Sequence, residues 1–186
     1  AGTTLREALI TFGGDPDGWR ALDRRGKGVV AYVESHIEQG PVLLDEGLPV
    51  GVVTAIASGA RMRVEVTGLA GHAGTVPMGS RQDALAAAAE MVLAVERIAS
   101  APGEGGAALV GTVGTIDARP GAINVIPQVV SFTVDVRSGD DVARRRATAV
   151  MRDAFDAIAT QRRVKVASEV FYELPAAPCD ASLQDA

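Results

Sequence analysis

ARMRVEVTGL, Ala60 to Leu69, alternates apolar and polar side chains from Met62 through Thr67. A period of two is what a half-buried strand requires, because successive side chains project to opposite faces of a sheet. With this strand placed, its neighbours follow. SRQDALAAAAEMVLAVERIAS, 80–100, changes to the helical period, which predicts a helix beginning at Ser80. Ala84, Ala88, Met91, Val95 and Ile98 form its apolar stripe, and Ser80 with Asp83 has the look of a capping box with a shortened acid. Residues 107–117 and 128–137 read as two strands, separated by ARPGAINVIP, 118–127, a loop with two prolines. Asp140 and Asp141 open a helix of about two dozen residues. Ala143, Ala147, Val150, Ala154 and Ile158 are expected to face inward, and Arg144, Arg145 and Arg146 to form its solvated face. VKVASEVFY, 164–172, closes the series as a strand.

The order β-α-β-β-α-β predicts an α+β fold of ferredoxin-like type over residues 57–173. Its four-stranded antiparallel sheet would carry two helices on one face. The opposite face and one edge strand would be left uncovered. An exposed edge invites pairing with another chain, so a dimer is expected.

Upstream, TTLREALITF (3–12) reads as a short helix closed by Gly13 and Gly14, and DPDGWRALDRRGKG (15–28) as a polar surface connection. VVAYVESHIE (29–38) carries β-formers and predicts a strand running into Gly40-Pro41; VGVVTAI (50–56) predicts another. These elements are too few to bury a core. Residues 1–56 are therefore read as a partial segment of a neighbouring domain, with 174–186 as its returning piece. The chain opens without methionine, which suggests a piece of a longer one, removal of the initiator by processing being the alternative.

Composition narrows the function classes. Hydrophobic residues make up 47% of the chain and charged residues 22%, the balance of a soluble globular protein. A net charge of -5 gives no electrostatic case for nucleic acid or an anionic membrane. No apolar run approaches the roughly 20 residues of a membrane helix, and the first residues lack the pattern of a signal peptide. The single cysteine, Cys179, excludes an internal disulfide and fits a reducing cytoplasm. It has no local partner suggesting a nucleophile. GTVG, 111–114, is not a phosphate loop, because no Gly-Lys-Ser/Thr helix start follows.

The side chains that could do chemistry are few. Two histidines are present. On the expected strand, His36 and Glu38 would share a face, and neutral imidazole at a strand end suits a metal; hydrogen bonding to backbone is the alternative. His72 sits between Gly71 and Gly74 with no acid nearby, either free to reach into another site or simply a loop residue. Asn124 could hold a substrate through its amide or stabilise a turn. Arg137 could clamp a carboxylate or pair with Asp140.

HIEQGPVLLDEG (36–47), VGVVTAI (50–56), GLAGHAGTVPMGSRQDAL (68–85), GAINVIP (121–127) and VDVRSGDD (134–141), in this order, resemble the amidase/carbamoylase branch of the dinuclear-zinc aminoacylase and peptidase family. That branch contains N-carbamoyl-L-amino-acid amidohydrolases, allantoate amidohydrolases and β-ureidopropionases. The resemblance implies a catalytic domain with two Zn2+ per subunit, or Mn2+ in their place. It also implies an inserted ferredoxin-like lid that forms a homodimer. By the same resemblance His36 is a metal ligand and Gln39 lies by the substrate. His72 reaches the neighbouring subunit's active site and stabilises the oxyanion, while Asn124 and Arg137 bind the carboxylate or ureido end of a small-molecule substrate. The family's His-x-Asp ligand segment, its Glu-Glu pair and its final histidine ligand have no counterpart in these residues. The chain is therefore expected to lack the general base, to hold no stable dinuclear centre and to be inactive alone. Two other readings stand beside this one: a non-catalytic ferredoxin-like dimerisation or binding module with structural histidines, and the lid of a related aminoacylase or peptidase.

Overall fold

The structure is a computed structural model and describes residues 2–101 and 108–185. The chain divides into two compact units, Ala1–Gly51 and Val52–Ala186.

The first unit has little regular structure. Helix α1 (Leu5–Thr11) is started by a complete capping box: Thr4 accepts from Glu7 N, and the Glu7 carboxylate accepts from Thr4 N. That backbone bond, then the Thr4 hydroxyl, hold the Glu7 carboxyl below its usual range. A 3-10 turn follows at Gly18–Leu22, and a single helical turn, α2, at Val42–Asp45. The strand expected over 29–38 does not form; the segment is irregular and exposed. Its β-forming residues have no ladder to join, and propensity without a pairing partner does not make a strand. No described residue of this unit is buried.

The second unit contains the core. Its elements are β1 (Ala55–Ile56), β2 (Ser58–Thr67), β3 (Gly71–His72), α3 (Ala84–Ser100), β4 (Leu109–Arg119), β5 (Val125–Ile126), β6 (Val129–Ser138), α4 (Asp141–Arg162), β7 (Lys165–Leu174), β8 (Ala177–Pro178) and α5 (Ala181–Gln184). Strands β4, β6, β2 and β7 lie side by side in that order, antiparallel throughout. Of the segment 50–56 only β1 is a strand, and it pairs with β8. The first residue of the strand expected over 107–117 lies outside the described residues.

The alternation that placed β2 holds along its whole length. Ala60, Met62, Val64 and Val66 are buried while Arg61, Arg63 and Glu65 are exposed. Val130, Phe132, Val134 and Val136 do the same on β6. Against this face lie Ala84, Ala87, Ala88, Met91 and Val95 of α3 and Ala147, Met151, Phe155 and Ala159 of α4, forming one cluster. The Phe132 and Phe155 rings meet edge to face, 5.9 Å between centroids. Each large side chain buried here contributes about 1.5–3 kcal/mol.

Both helices differ in detail from expectation. Helix α3 begins at Ala84, with Asp83 as its cap accepting from Leu85 N and Ala86 N. Ser80 instead ends a 3-10 turn, Met78–Ser80. On α4 the buried line runs through Arg144, Ala147, Met151, Phe155 and Ala159, and Val150 is exposed. Rotation of the helix by one residue puts the larger Met151 and Phe155 into the core, and carries Arg144 in with them.

Arg144 is thus no part of a solvated face; it is 2% exposed. Its Nε donates to Ser58 Oγ at 3.0 Å, and its Nη2 lies 2.8 Å from Glu173 and 3.3 Å from Asp141. Ser58 Oγ in turn donates to Ser138 O. Asp141 also accepts from Ala176 N. One buried cation therefore ties α4 to the start of β2 and the end of β7. Among the described residues no buried side-chain polar atom lacks a partner, as the cost of an unpaired buried charge demands. None of the described helices is long and apolar enough to cross a membrane.

Candidate functional site

The side chains singled out by sequence occupy three places. His36 and Gln39 belong to the first unit. His36 is exposed, and its Nδ1 lies 2.6 Å from Ile37 O. A carbonyl can only accept, so Nδ1 carries the proton, and in the neutral ring Nε2 keeps a lone pair directed away from the backbone. That is the form in which imidazole ligates a metal. Glu38 does not share a strand face with it. Its carboxylate accepts from Val42 N and Leu43 N, at 2.9 and 3.1 Å, and caps α2. Gln39, between them, has φ 58°. A side chain in that left-handed region costs about 1 kcal/mol, a strain more common at functional positions than elsewhere.

His72 and Asn124 are brought together. Strands β3 and β5 pair Gly71 with Ile126 and His72 with Val125, and Ala73 N donates to Asn124 O at 2.9 Å. This two-stranded patch stands on the loops beyond one end of the main sheet. Gly68 opens the first loop with its N–H on Gln128 O, and a Cβ there would come within 2.0 Å of Gln82 O, so only glycine fits. The imidazole of His72 accepts at Nδ1 from Gly74 N, 3.0 Å. An amide N–H can only donate, so the neutral ring carries its proton on Nε2 and offers a donor. A Cβ at Gly74 would stand 3.2 Å from His72 Cε1; the glycine makes room for the ring itself.

Arg137 is not with them. It lies eight residues along β6 from Val129, which at 3.3 Å per residue is about 26 Å. Its neighbour is Asp135, not Asp140: Nη2 to Oδ2 is 2.9 Å, and Arg61 lies 3.5 Å from the same oxygen. Asp140 accepts from Val142 N and Ala143 N as the α4 cap. The hydrogen bond from Arg137 holds the Asp135 carboxyl below the usual range against partial desolvation, with the positive charges of Arg137 and Arg61 adding to it. The same bond raises Arg137. Arg61 lies over the Tyr172 ring, 4.9 Å from its centroid, and Arg63 over Phe171. Arg61, Thr112, Asp135, Arg137 and Phe171 line a depression of about 540 Å³ on the helix-free face of the sheet. The sequence reading passed over Arg61, Asp135 and Tyr172; the alternation that buried Met62 and Val136 also directs their neighbours to this face.

A group of three or more His, Cys, Asp or Glu side chains able to enclose a metal ion is not formed among the described residues. His36, through Nε2, fits the part of a single ligand.

Residues 54–163 match the model of the peptidase dimerisation domain. Along its whole length the chain is 38% identical to an N-carbamoyl-L-amino acid amidohydrolase of Geobacillus stearothermophilus, of which it covers 44%. Over 84% of its length it is 41% identical to allantoate deiminase 1 of Glycine max, covering 36% of that protein. Among solved structures, a hydantoinase/carbamoylase family amidase from Burkholderia ambifaria superposes on 99% of the chain with TM-score 0.85 and 37% identity, 43% of the amidase being covered. The chain thus spans less than half the length of these relatives.

Proposed function

Since this chain belongs to the peptidase dimerisation-domain family, we propose that it is the middle region of a metal-dependent amidohydrolase. The parent enzyme cleaves the C–N bond of a ureido (N-carbamoyl) amino acid or of allantoate. Residues 57–173 are its ferredoxin-like lid and homodimer interface; 1–56 and 174–186 are catalytic-domain segments. The enzyme works in the cytoplasm.

The observation that carries this reading is the backbone group met by each histidine Nδ1, a carbonyl at His36 and an N–H at His72. His72, fixed by Gly74 N–H, offers an Nε2–H donor. Such a donor stabilises a carbonyl oxygen as negative charge develops on it. The Asn124 amide, on the neighbouring loop, receives the ureido end. The Arg137 guanidinium, held by Asp135, presents its planar fork to a carboxylate. Gln39, three residues on from His36, orients the substrate. A small ureido acid cannot bridge the length of β6, so His72 and Arg137 of one chain serve different active sites. That separation supports a lid histidine acting in the neighbouring subunit.

His36 Nε2 would hold one of two zinc ions, or manganese in their stead. The bound metal supplies polarisation of the scissile carbonyl and a water of lowered pKa. In the net reaction water adds to the carbamoyl carbon, the C–N bond to the amino product breaks as that amino group takes a proton, and the carbamic acid released splits into ammonia and carbon dioxide. The remaining ligands and the general base lie outside these residues, and the 186 residues alone are inactive.

The test is ammonia release by the intact protein from N-carbamoyl amino acids and allantoate, with elemental analysis for metal. Ammonia release that chelation abolishes supports the reading. An intact protein that binds no metal and releases no ammonia from either substrate overturns it.

A further inference from the structure

Arg81 is half-buried and belongs to none of the roles assigned so far. Its Nε donates to Val76 O at 3.1 Å, and its Nη2 to Ala73 O at 2.6 Å. These two carbonyls bracket Gly74 and Thr75, and Gly74 N is the donor to the His72 ring. On the other side of the same turn, the His72 carbonyl accepts from Thr75 N and Val76 N, at 3.3 and 3.2 Å. The turn is therefore closed by main chain on one side and by a guanidinium on the other. Arg81 is itself anchored. Its own carbonyl and that of Gly79 accept from Arg163 Nη2, at 3.3 and 2.6 Å. Arg163 is the left-handed residue that ends α4.

Two carbonyls three residues apart are a suitable target for a planar fork with several fixed donors. A lysine ammonium, a point donor, holds one of them at a time. Without the fork both carbonyls must find water, and only the main-chain bonds to His72 O and Asn124 O are left to fix the direction of Gly74 N–H. Among the described residues, that N–H decides which ring nitrogen of His72 carries the proton.

We propose that Arg81 is the positioning residue for His72: by bridging Ala73 O and Val76 O it fixes the turn whose Gly74 N–H keeps the imidazole in its Nε2-protonated form. The structural half of this statement stands on the loop alone. The catalytic half rests on the oxyanion role given to His72 above.

Nitrogen-15 NMR of the ring atoms in this 186-residue chain tests it, at pH about 8.5 where imidazole is neutral. A His36→Gln variant assigns the two histidines. Native His72 shows a protonated Nε2 and an unprotonated Nδ1. In Arg81→Gln the two ring shifts move toward a common average while the backbone amide spectrum of the sheet is unchanged. Arg81→Lys falls between, and reads the same quantity should the glutamine variant not fold. Free guanidinium at millimolar concentration restores the native shifts to Arg81→Gly. In the intact protein Arg81→Gln lowers kcat by about 10-fold with KM within about twofold, the split expected when a transition-state contact is misplaced. Ring shifts that stay native in the folded Arg81 variants overturn the proposal. Mixed tautomers with unchanged kcat uphold the positioning and count instead against the oxyanion role of His72.

Discussion

The two histidines occupy opposite kinds of surroundings. His36 lies on an exposed, irregular segment, and its Nδ1–H is used up on the adjacent carbonyl of Ile37. His72 lies in a loop tied to β5, to Asn124 and to Arg81, and its Nδ1 receives a proton donor from Gly74. The same ring is thereby prepared for opposite chemistry, a lone pair on Nε2 in one case and a proton on Nε2 in the other. Neither outcome needs an acidic partner; a single backbone group decides each. A search for catalytic histidines by nearby carboxylates would have passed over both.

The largest effect that can break this contrast comes from His36. In the intact protein His36→Ala is expected to lower the metal content and to cut turnover roughly a thousandfold, about 4 kcal/mol of barrier. His72→Ala should leave metal content unchanged and lower kcat by about 10²–10³, the usual cost of one oxyanion donor. Loss of metal in both variants, or in neither, would remove the distinction. Gly74→Ala is milder. Its methyl group would sit 3.2 Å from His72 Cε1 and displace the ring without removing it. A fall in kcat of about 10-fold is expected, and the His72 ring shifts should move with it.

The smallest effect concerns the third place, where a carboxylate does accompany the site residue. Arg137 depresses the folded-state pKa of Asp135 below its unfolded value, which lies near about 3.9. The pair's contribution to stability is therefore complete above that value and lost as pH falls through the folded one. Urea unfolding across that acid range should show a steeper decline for the native chain than for Asp135→Asn. Equal slopes would mean that the pair is not held in solution.

How much of this was legible in the sequence depends on which force decides each element. The core strands were legible because burial imposes the period of two; Met62, Val64 and Val66 could not face outward together. The capped helix at Leu5 and the long helix after Asp140 were legible from local chemistry. The segment 29–38 was misread because Val29, Val30 and Tyr32 carry strand propensity, whereas a strand exists only through its partner. Arg144 was misread because its row of three arginines looks solvated. Its burial is set by Met151 and Phe155 two and three turns on, and by Ser58 and Glu173, far away in sequence. At the site, residue types left both a role and a bland reading open for His72, Asn124 and Arg137, and the family resemblance singled them out. That the loops of the first two meet follows from the β3–β5 ladder, which two-residue strands do not advertise, and that the third stands at the far end of the sheet follows from the length of β6. A Cβ at Gly71 would stand 2.9 Å from Val76 Cγ2 and one at Gly74 3.2 Å from His72 Cε1, so contacts within the loop itself favour glycine at both positions.

The pairing of Ala55–Ile56 with Ala177–Pro178 has a consequence for how such a chain can be assembled. Antiparallel neighbours run about 4.8 Å apart, so the sheet-and-helix unit is joined to the rest of its chain through two adjacent threads. A host structure need open only one peptide-sized gap to receive it, and Arg144 locks the two threads on the guest's side. The unit is in effect a cassette, one that could be moved into a surface turn of another protein or excised by joining Thr54 to Cys179, which already share a hydrogen bond.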